Sequence, residues 1–154
     1  MDEAVGRVEA ALRAKGLETE IIHLPNGVPT AAAAAEELGC EVGAIANSLV
    51  FSVDGEPLLV LTSGAHRVDT GRLAATLGTG KIKRADPAFV LAATGMEVGG
   101  VAPAGHPAPI RTVVDVWLDR HPEVWAGGGA AHTMFRTSYK DLLLLTGGEP
   151  AEVG

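Results

Sequence analysis

Apolar positions along the chain come in short runs separated by glycine, proline and capping residues. Val5, Val8, Ala11 and Leu12 recur at helical spacing within residues 2–15, and Gly16 follows as a C-cap. Residues 18–24 (ETEIIHL) read as a strand and Pro25-Asn26-Gly27 as a turn. Thr30 is placed to cap a helix through AAAAAEEL, a run whose alanines favour that state, and Gly39 stops it.

The centre of the chain reads as β-structure. Asn47 to Val53 leads into Asp54-Gly55, a strong two-residue hairpin signal, and Pro57 to Thr62 returns. Four consecutive apolar residues in that returning run predict a strand covered on both faces. Asp69 caps a helix that runs through Leu77 to Gly78. Lys81 to Ala85 forms a short polar strand, and Asp86-Pro87 opens another helix. Residues 94–109 (TGMEVGGVAPAGHPAP) form a long loop, and loops of that length in a compact domain are usually functional or mobile. Further strands are expected at Arg111–Leu118, Val124–Ala126 and His132–Arg136, with a last helix from Ser138 to Thr146 and a disordered tail over Gly147–Gly154. The layout predicts a mixed α/β fold.

Composition narrows the picture. At 154 residues with 47% hydrophobic and 20% charged side chains, the chain suits one self-sufficient domain, residues 1–154. A net charge of −7 argues against a broad cationic face for long nucleic acid and leaves room for a local basic patch. No apolar run approaches the ~20 residues needed to cross a bilayer. The opening Met1-Asp2-Glu3 lacks a signal-like apolar stretch, so a cytoplasmic protein without membrane contact is expected. A single cysteine, Cys40, excludes an intramolecular disulfide and a cysteine-cluster zinc site.

Several familiar chemistries find no support. The histidines, His23, His66, His106, His121 and His132, form no ligand-spaced pair, so no metal site is expected. Nucleophile-elbow, Walker and dinucleotide glycine patterns are absent. Cys40 follows a helix end, where a thiol is either activated or simply buried. Gly127-Gly128-Gly129 allows backbone amides to approach a ligand oxygen or makes a tight connection between strands. The 94–109 loop is a lid over a pocket or a surface excursion. Asn47-Ser48 opens an apolar strand with polar groups that face a cleft or mark its wet end. Lys81-x-Lys83-Arg84 meets a phosphate backbone or is a solvated charge run.

Taken in order, four segments resemble the YbaK/ProX family, the stand-alone relatives of the editing domain inserted in bacterial prolyl-tRNA synthetase. They are Thr30–Ala35 with Leu38-Gly39; Ile45-Ala46-Asn47-Ser48-Leu49-Val50-Phe51; Thr94–Pro103; and Ala126–Gly129 followed by Phe135 and Asp141-Leu142. The resemblance implies a mixed, partly barrelled β-sheet surrounded by helices. It implies hydrolysis of the ester of a mischarged tRNA, a small amino acid on tRNA-Pro, without a cofactor. Its partners would be the CCA end of aminoacyl-tRNA and, for delivery, prolyl-tRNA synthetase or an elongation factor.

The resemblance also assigns roles. Asn47 and Ser48 would meet the ester and terminal adenosine, the amides of Gly127, Gly128 and Gly129 its carbonyl, and His132 would orient the reacting groups. Val28, Thr30, Gly99, Gly100, Val101 and Pro103 would shape the acyl pocket, and Lys81, Lys83 and Arg84 would contact the acceptor stem. Deacylases of the family usually carry lysine where this chain has Asn47. Asparagine is a shorter, neutral donor and acceptor. A binder of aminoacyl-adenosine with weakened catalysis is therefore the alternative reading.

Overall fold

Local signals set the helix boundaries. In the computed structural model, which describes residues 3–24 and 30–154, α1 spans Glu3–Ala14 and buries Ala4, Val8 and Leu12. Helices α2 (Ala31–Leu38), α3 (Thr70–Leu77), α4 (Pro87–Thr94) and α5 (Tyr139–Thr146) each begin on a capping side chain. Thr30, Asp69, Asp86 and Ser138 accept the backbone N–H three residues on, at 2.8–3.1 Å. Each cap satisfies an amide that has no partner within the helix.

The strands are β1 (Ile21–His23), β2 (Ile45–Val53), β3 (Glu56–Ser63), β4 (Ile82–Arg84), β5 (Arg111–Asp115), β6 (Val124–Gly127), β7 (Thr133–Thr137) and β8 (Glu149–Ala151). They form one mixed sheet in the order β1-β7-β6-β2-β3-β5-β8, with β4 as a second partner of β2. Antiparallel pairs join β1 to β7, β7 to β6, and β2 to both β3 and β4. Parallel pairs join β6 to β2, β3 to β5 and β5 to β8. The main core gathers Val8 and Leu12 of α1, Val90 of α4 and Leu142 of α5 around Leu59, Leu61, Ala126 and Phe135. Smaller clusters seat α3 against β3 and α2 against Ile45 and Met134.

Two expectations fail for tertiary reasons. The strand expected over Arg111–Leu118 ends at Asp115, and residues Val116–Arg120 turn into a 3₁₀ helix. Asp115 causes the turn. It is fully buried, and its carboxylate accepts the N–H of Trp117 at 3.0 Å and the N–H of Ser63 at 3.0 Å. His66 Nδ1 lies 2.9 Å from the same carboxylate, and the His66 ring stacks on Trp117 at 3.6 Å. The expected disordered tail is instead ordered: β8 pairs with β5, Val153 is fully buried, and Asp69 N–H donates to the Val153 carbonyl at 2.7 Å.

The long loop after α4 is fastened along its length. Met96, Gly100, Val101, Ala102 and Pro103 are buried, and Thr94 Oγ1 accepts the Met96 N–H at 3.0 Å. His106 Nε2 lies 2.8 Å from the Ala102 carbonyl, and burial lowers the pKa of this ring. A base depressed in the folded state takes up protons on unfolding, so its contribution to stability is complete above its ordinary pKa of ~6.5 and declines as pH falls below it. Thermal melts at pH 7.5 and 5 should therefore show a Tm drop that is smaller in His106→Gln. An equal drop in the variant would exclude this ring as a source.

Candidate functional site

A break in the sheet ladder builds the site. On one side, β2 pairs with β3 without interruption from Ala46 to Val53. On the other, β6 reaches only Ile45 and Ala46, and β4 reaches only Phe51 to Val53. Among the described residues, Asn47 to Val50 therefore has no strand beside it on that side. The cause lies in both neighbours. Chain turning at Gly127–Gly129 ends β6, and Asp86-Pro87 ends the short β4 by starting a helix.

A cleft of about 550 Å³ opens at this break. Asn47, Leu49 and Phe51 point to one face of β2 and Ser48 and Val50 to the other, by strand alternation. All five line the cleft. Asn47 is half-buried and its side chain makes no hydrogen bond among the described residues. The Ser48 hydroxyl is buried without a partner among the described residues. Such a group carries a desolvation cost unless something bonds to it.

The far walls come from loops and α2. Thr30, Ala31 and Ala34 line one side, and their small side chains leave room that larger residues would fill. Gly99 and Val101 of the long loop line another, with Gly127 lying against the Val101 carbonyl and His132 also on the wall. His132 is exposed and adopts φ +64, uncommon for a residue with a side chain. Arg84 stands at the rim as the cross-strand partner of Phe51, with no acidic partner among the described residues.

The structure thus brings together Asn47, Ser48, Gly127, His132, Thr30, Gly99, Val101 and Arg84. It keeps others away from the wall. Gly128 donates its N–H to the Thr133 carbonyl at 2.9 Å, and a Cβ there would press on Ile21 and Thr133. Gly129 lies against Ala4 and Val8 of α1. Neither offers an amide to the cleft. Gly100 abuts the backbone of Ala130 and Ala131, where a Cβ would come within 2.8 Å, so it docks the loop on the glycine turn. Pro103 is buried outside the cleft, and Lys81 and Lys83 are exposed beyond its rim. Val28 lies outside the described residues.

Sequence reasoning missed Met134, Thr133, Val90 and Val98, which also line the cleft. No local signal marks them, because strand order and helix placement bring them there. Cys40 is not among the lining residues, and burial pushes its thiol pKa up, away from nucleophilic use. Among the described residues, no cluster of three or more His, Cys, Asp or Glu is placed to hold a metal. Among them, too, no helix is long and apolar enough to cross a membrane.

The family profile of the aminoacyl-tRNA editing domain matches residues 25–145. The chain belongs to this family. That match spans α2, the β2–β3 hairpin, the long loop and the glycine turn, so it contains every element of the cleft wall. A solved structure described as a candidate trans-editing enzyme for prolyl tRNA synthetase is 38% identical, with a TM-score of 0.92 over 99% of this chain and 98% of that one. The hypothetical protein APE2540 is 29% identical, with a TM-score of 0.87 over 96% of this chain and 98% of that one. The uncharacterized protein YwhH of Bacillus subtilis is 29% identical over 126 residues, 81% of this chain and 80% of its own length. The proline–tRNA ligase of Citrifermentans bemidjiense is 29% identical over 62% of this chain, and the match covers only 17% of that enzyme.

Proposed function

We propose that this editing domain acts in trans as a deacylase, hydrolysing the ester that joins a small, mischarged amino acid to tRNA-Pro. The observation that carries the reading is the meeting of Asn47, Ser48, Gly127 and His132 on one cleft with a cation at its rim, Arg84, that has no acidic partner among the described residues. The 38% identity to a candidate trans-editing enzyme supports the choice of tRNA.

The chemistry follows from the groups present. Water attacks the ester carbonyl carbon, the bond to the ribose oxygen breaks, and that oxygen takes the proton the water gives up. Negative charge develops on the carbonyl oxygen, where the Asn47 side-chain amide donates a hydrogen bond. His132, on the same cleft, orients the water. Val90 and Val101, on the Ser48 face of β2, bound the acyl side chain and set its size, while Ala31 and Ala34 close the other face beside Ile45. Arg84 takes a phosphate of the terminal nucleotides, and Lys81 and Lys83 extend the contact along the acceptor stem. With a net charge of −7 the footprint on tRNA stays small, so delivery by prolyl-tRNA synthetase or an elongation factor fits the electrostatics.

Single-turnover deacylation of Ala-tRNA-Pro tests the orientation. Arg84→Ala should raise KM roughly tenfold and reduce the salt dependence of binding by about one phosphate contact. An unchanged KM would remove Arg84 from the tRNA contact. Asn47 in place of lysine favours a second reading, recognition without hydrolysis. Hydrolysis that appears only in Asn47→Lys would establish that reading.

A further inference from the structure

The break in the β2 ladder leaves main-chain groups unpaired, and the register shows which. Gly64 N–H donates to the Ile45 carbonyl at 2.8 Å, so the odd-numbered residues of β2 turn their N–H and C=O toward β3. The even-numbered residues turn theirs to the other side. Ala46 meets β6 there and Ser52 meets β4; Val50 and Ser48 meet neither, and of the two it is Ser48 that also carries an orphaned side-chain group. Its N–H and C=O therefore both face the cleft side of β2, where the register among the described residues gives Ser48 no strand partner. The orphaned Ser48 hydroxyl belongs to the same residue. Three hydrogen-bonding groups of one residue are thus left for whatever enters.

The shape of the vacancy is specific. Because β6 and β4 are both ladder neighbours of β2, the slot between them lies one strand spacing, about 4.8 Å, from Ser48. One residue of an antiparallel strand fills such a slot by exchanging N–H and C=O with the residue opposite. An aminoacyl ester carries the same pair of groups: an amino nitrogen that donates and a carbonyl that accepts, joined through one Cα.

We infer that the aminoacyl group binds as the missing rung of the sheet, its free amine donating to the Ser48 carbonyl and its ester carbonyl accepting from the Ser48 N–H. This rests on the deacylase reading for the identity of the ligand and goes beyond it in naming the substrate class. The site takes aminoacyl groups with a free amine and rejects acyl groups that lack one. No carboxylate lines the cleft among the described residues, so the main-chain carbonyl supplies the acceptor that an acid would otherwise provide. Cross-strand partners share a face, so the acyl side chain lies beside the Ser48 hydroxyl.

The test uses two unreactive analogues, adenosines carrying at the 3′ carbon either an alanylamide or a propionylamide, the second lacking only the amine. Titration of the intact protein, read by calorimetry and by the Ser48 amide proton in NMR spectra, should show the alanyl analogue binding 10–100-fold more tightly. The Ser48 amide resonance should move with it. Equal affinities, or failure of both analogues to bind, would overturn the inference. Preferential binding without hydrolysis of any aminoacyl-tRNA would leave the inference standing and remove the deacylase reading instead. Ser48→Ala should weaken the alanyl analogue without lowering Tm, since it deletes a buried hydroxyl that has no partner. Unchanged affinity in this variant, with the preference for the amine intact, would take the hydroxyl out of the contact and leave the main-chain pair.

Discussion

Alanine at Asp115 is expected to cost the fold about 2–6 kcal/mol, because it leaves two backbone donors without an acceptor at roughly 1–3 kcal/mol each. The carboxylate is fully buried and joins three segments: the end of β3 through Ser63 N–H, the 3₁₀ turn through Trp117 N–H, and His66 through Nδ1. Its removal leaves two buried amides without acceptors and frees a ring stacked on Trp117. For a chain of this size the loss corresponds to a Tm lower by roughly 10 °C. Asparagine should cost less than alanine, because it keeps one acceptor oxygen, although its NH₂ then faces a donor that the carboxylate accepted. Urea unfolding of the three proteins measures this directly. A loss below about 1 kcal/mol in the alanine variant would show that the cluster relaxes around the gap.

The second large effect is on catalysis. Asn47→Ala should lower kcat/KM for a mischarged tRNA by about 10²–10³, the range found when a donor to a developing oxyanion is removed. Stability should hardly change, because the Asn47 side chain is half-buried and bonds to nothing among the described residues. Loss of rate with an unchanged unfolding curve separates a catalytic role from a structural one. If kcat/KM falls less than about threefold, the donor to the carbonyl oxygen lies elsewhere in the cleft, with the Ser48 amide the first candidate.

The difference between legible and hidden features follows the range of the forces involved. Caps at Thr30, Asp69, Asp86 and Ser138 act within three residues, so the sequence displays them. So does the Asp54-Gly55 hairpin turn, where both residues adopt positive φ as that turn type requires. β8 is different. Glu149-Pro150-Ala151 has no strand signal of its own and exists because β5 offers a free edge beside it. Asp115 did carry a signal, a lone acid inside the apolar run VVDVWL, yet only the fold supplies the donors that turn the chain there.

The same distinction runs through the site. Residue type points to Asn47, Ser48 and the glycine run, but it cannot separate Gly127, which faces the cleft, from Gly128 and Gly129, which pack against Thr133 and α1. Lys81, Lys83 and Arg84 look alike along the chain. Strand pairing singles out Arg84 by setting it across from Phe51 at the rim. The break between β6 and β4 is a property of strand order alone, and no stretch of sequence announces it.

The central claim is that the cleft beside Asn47 and Ser48 hydrolyses a mischarged aminoacyl ester. Its most direct test is ester loss from Ala-, Cys- and Ser-tRNA-Pro, with correctly charged prolyl-tRNA as control, on addition of the purified protein. The account predicts hydrolysis of at least one mischarged species well above the spontaneous rate, with prolyl-tRNA spared. Spontaneous rates for every species, in a protein that still binds the alanylamide of adenosine, would contradict it.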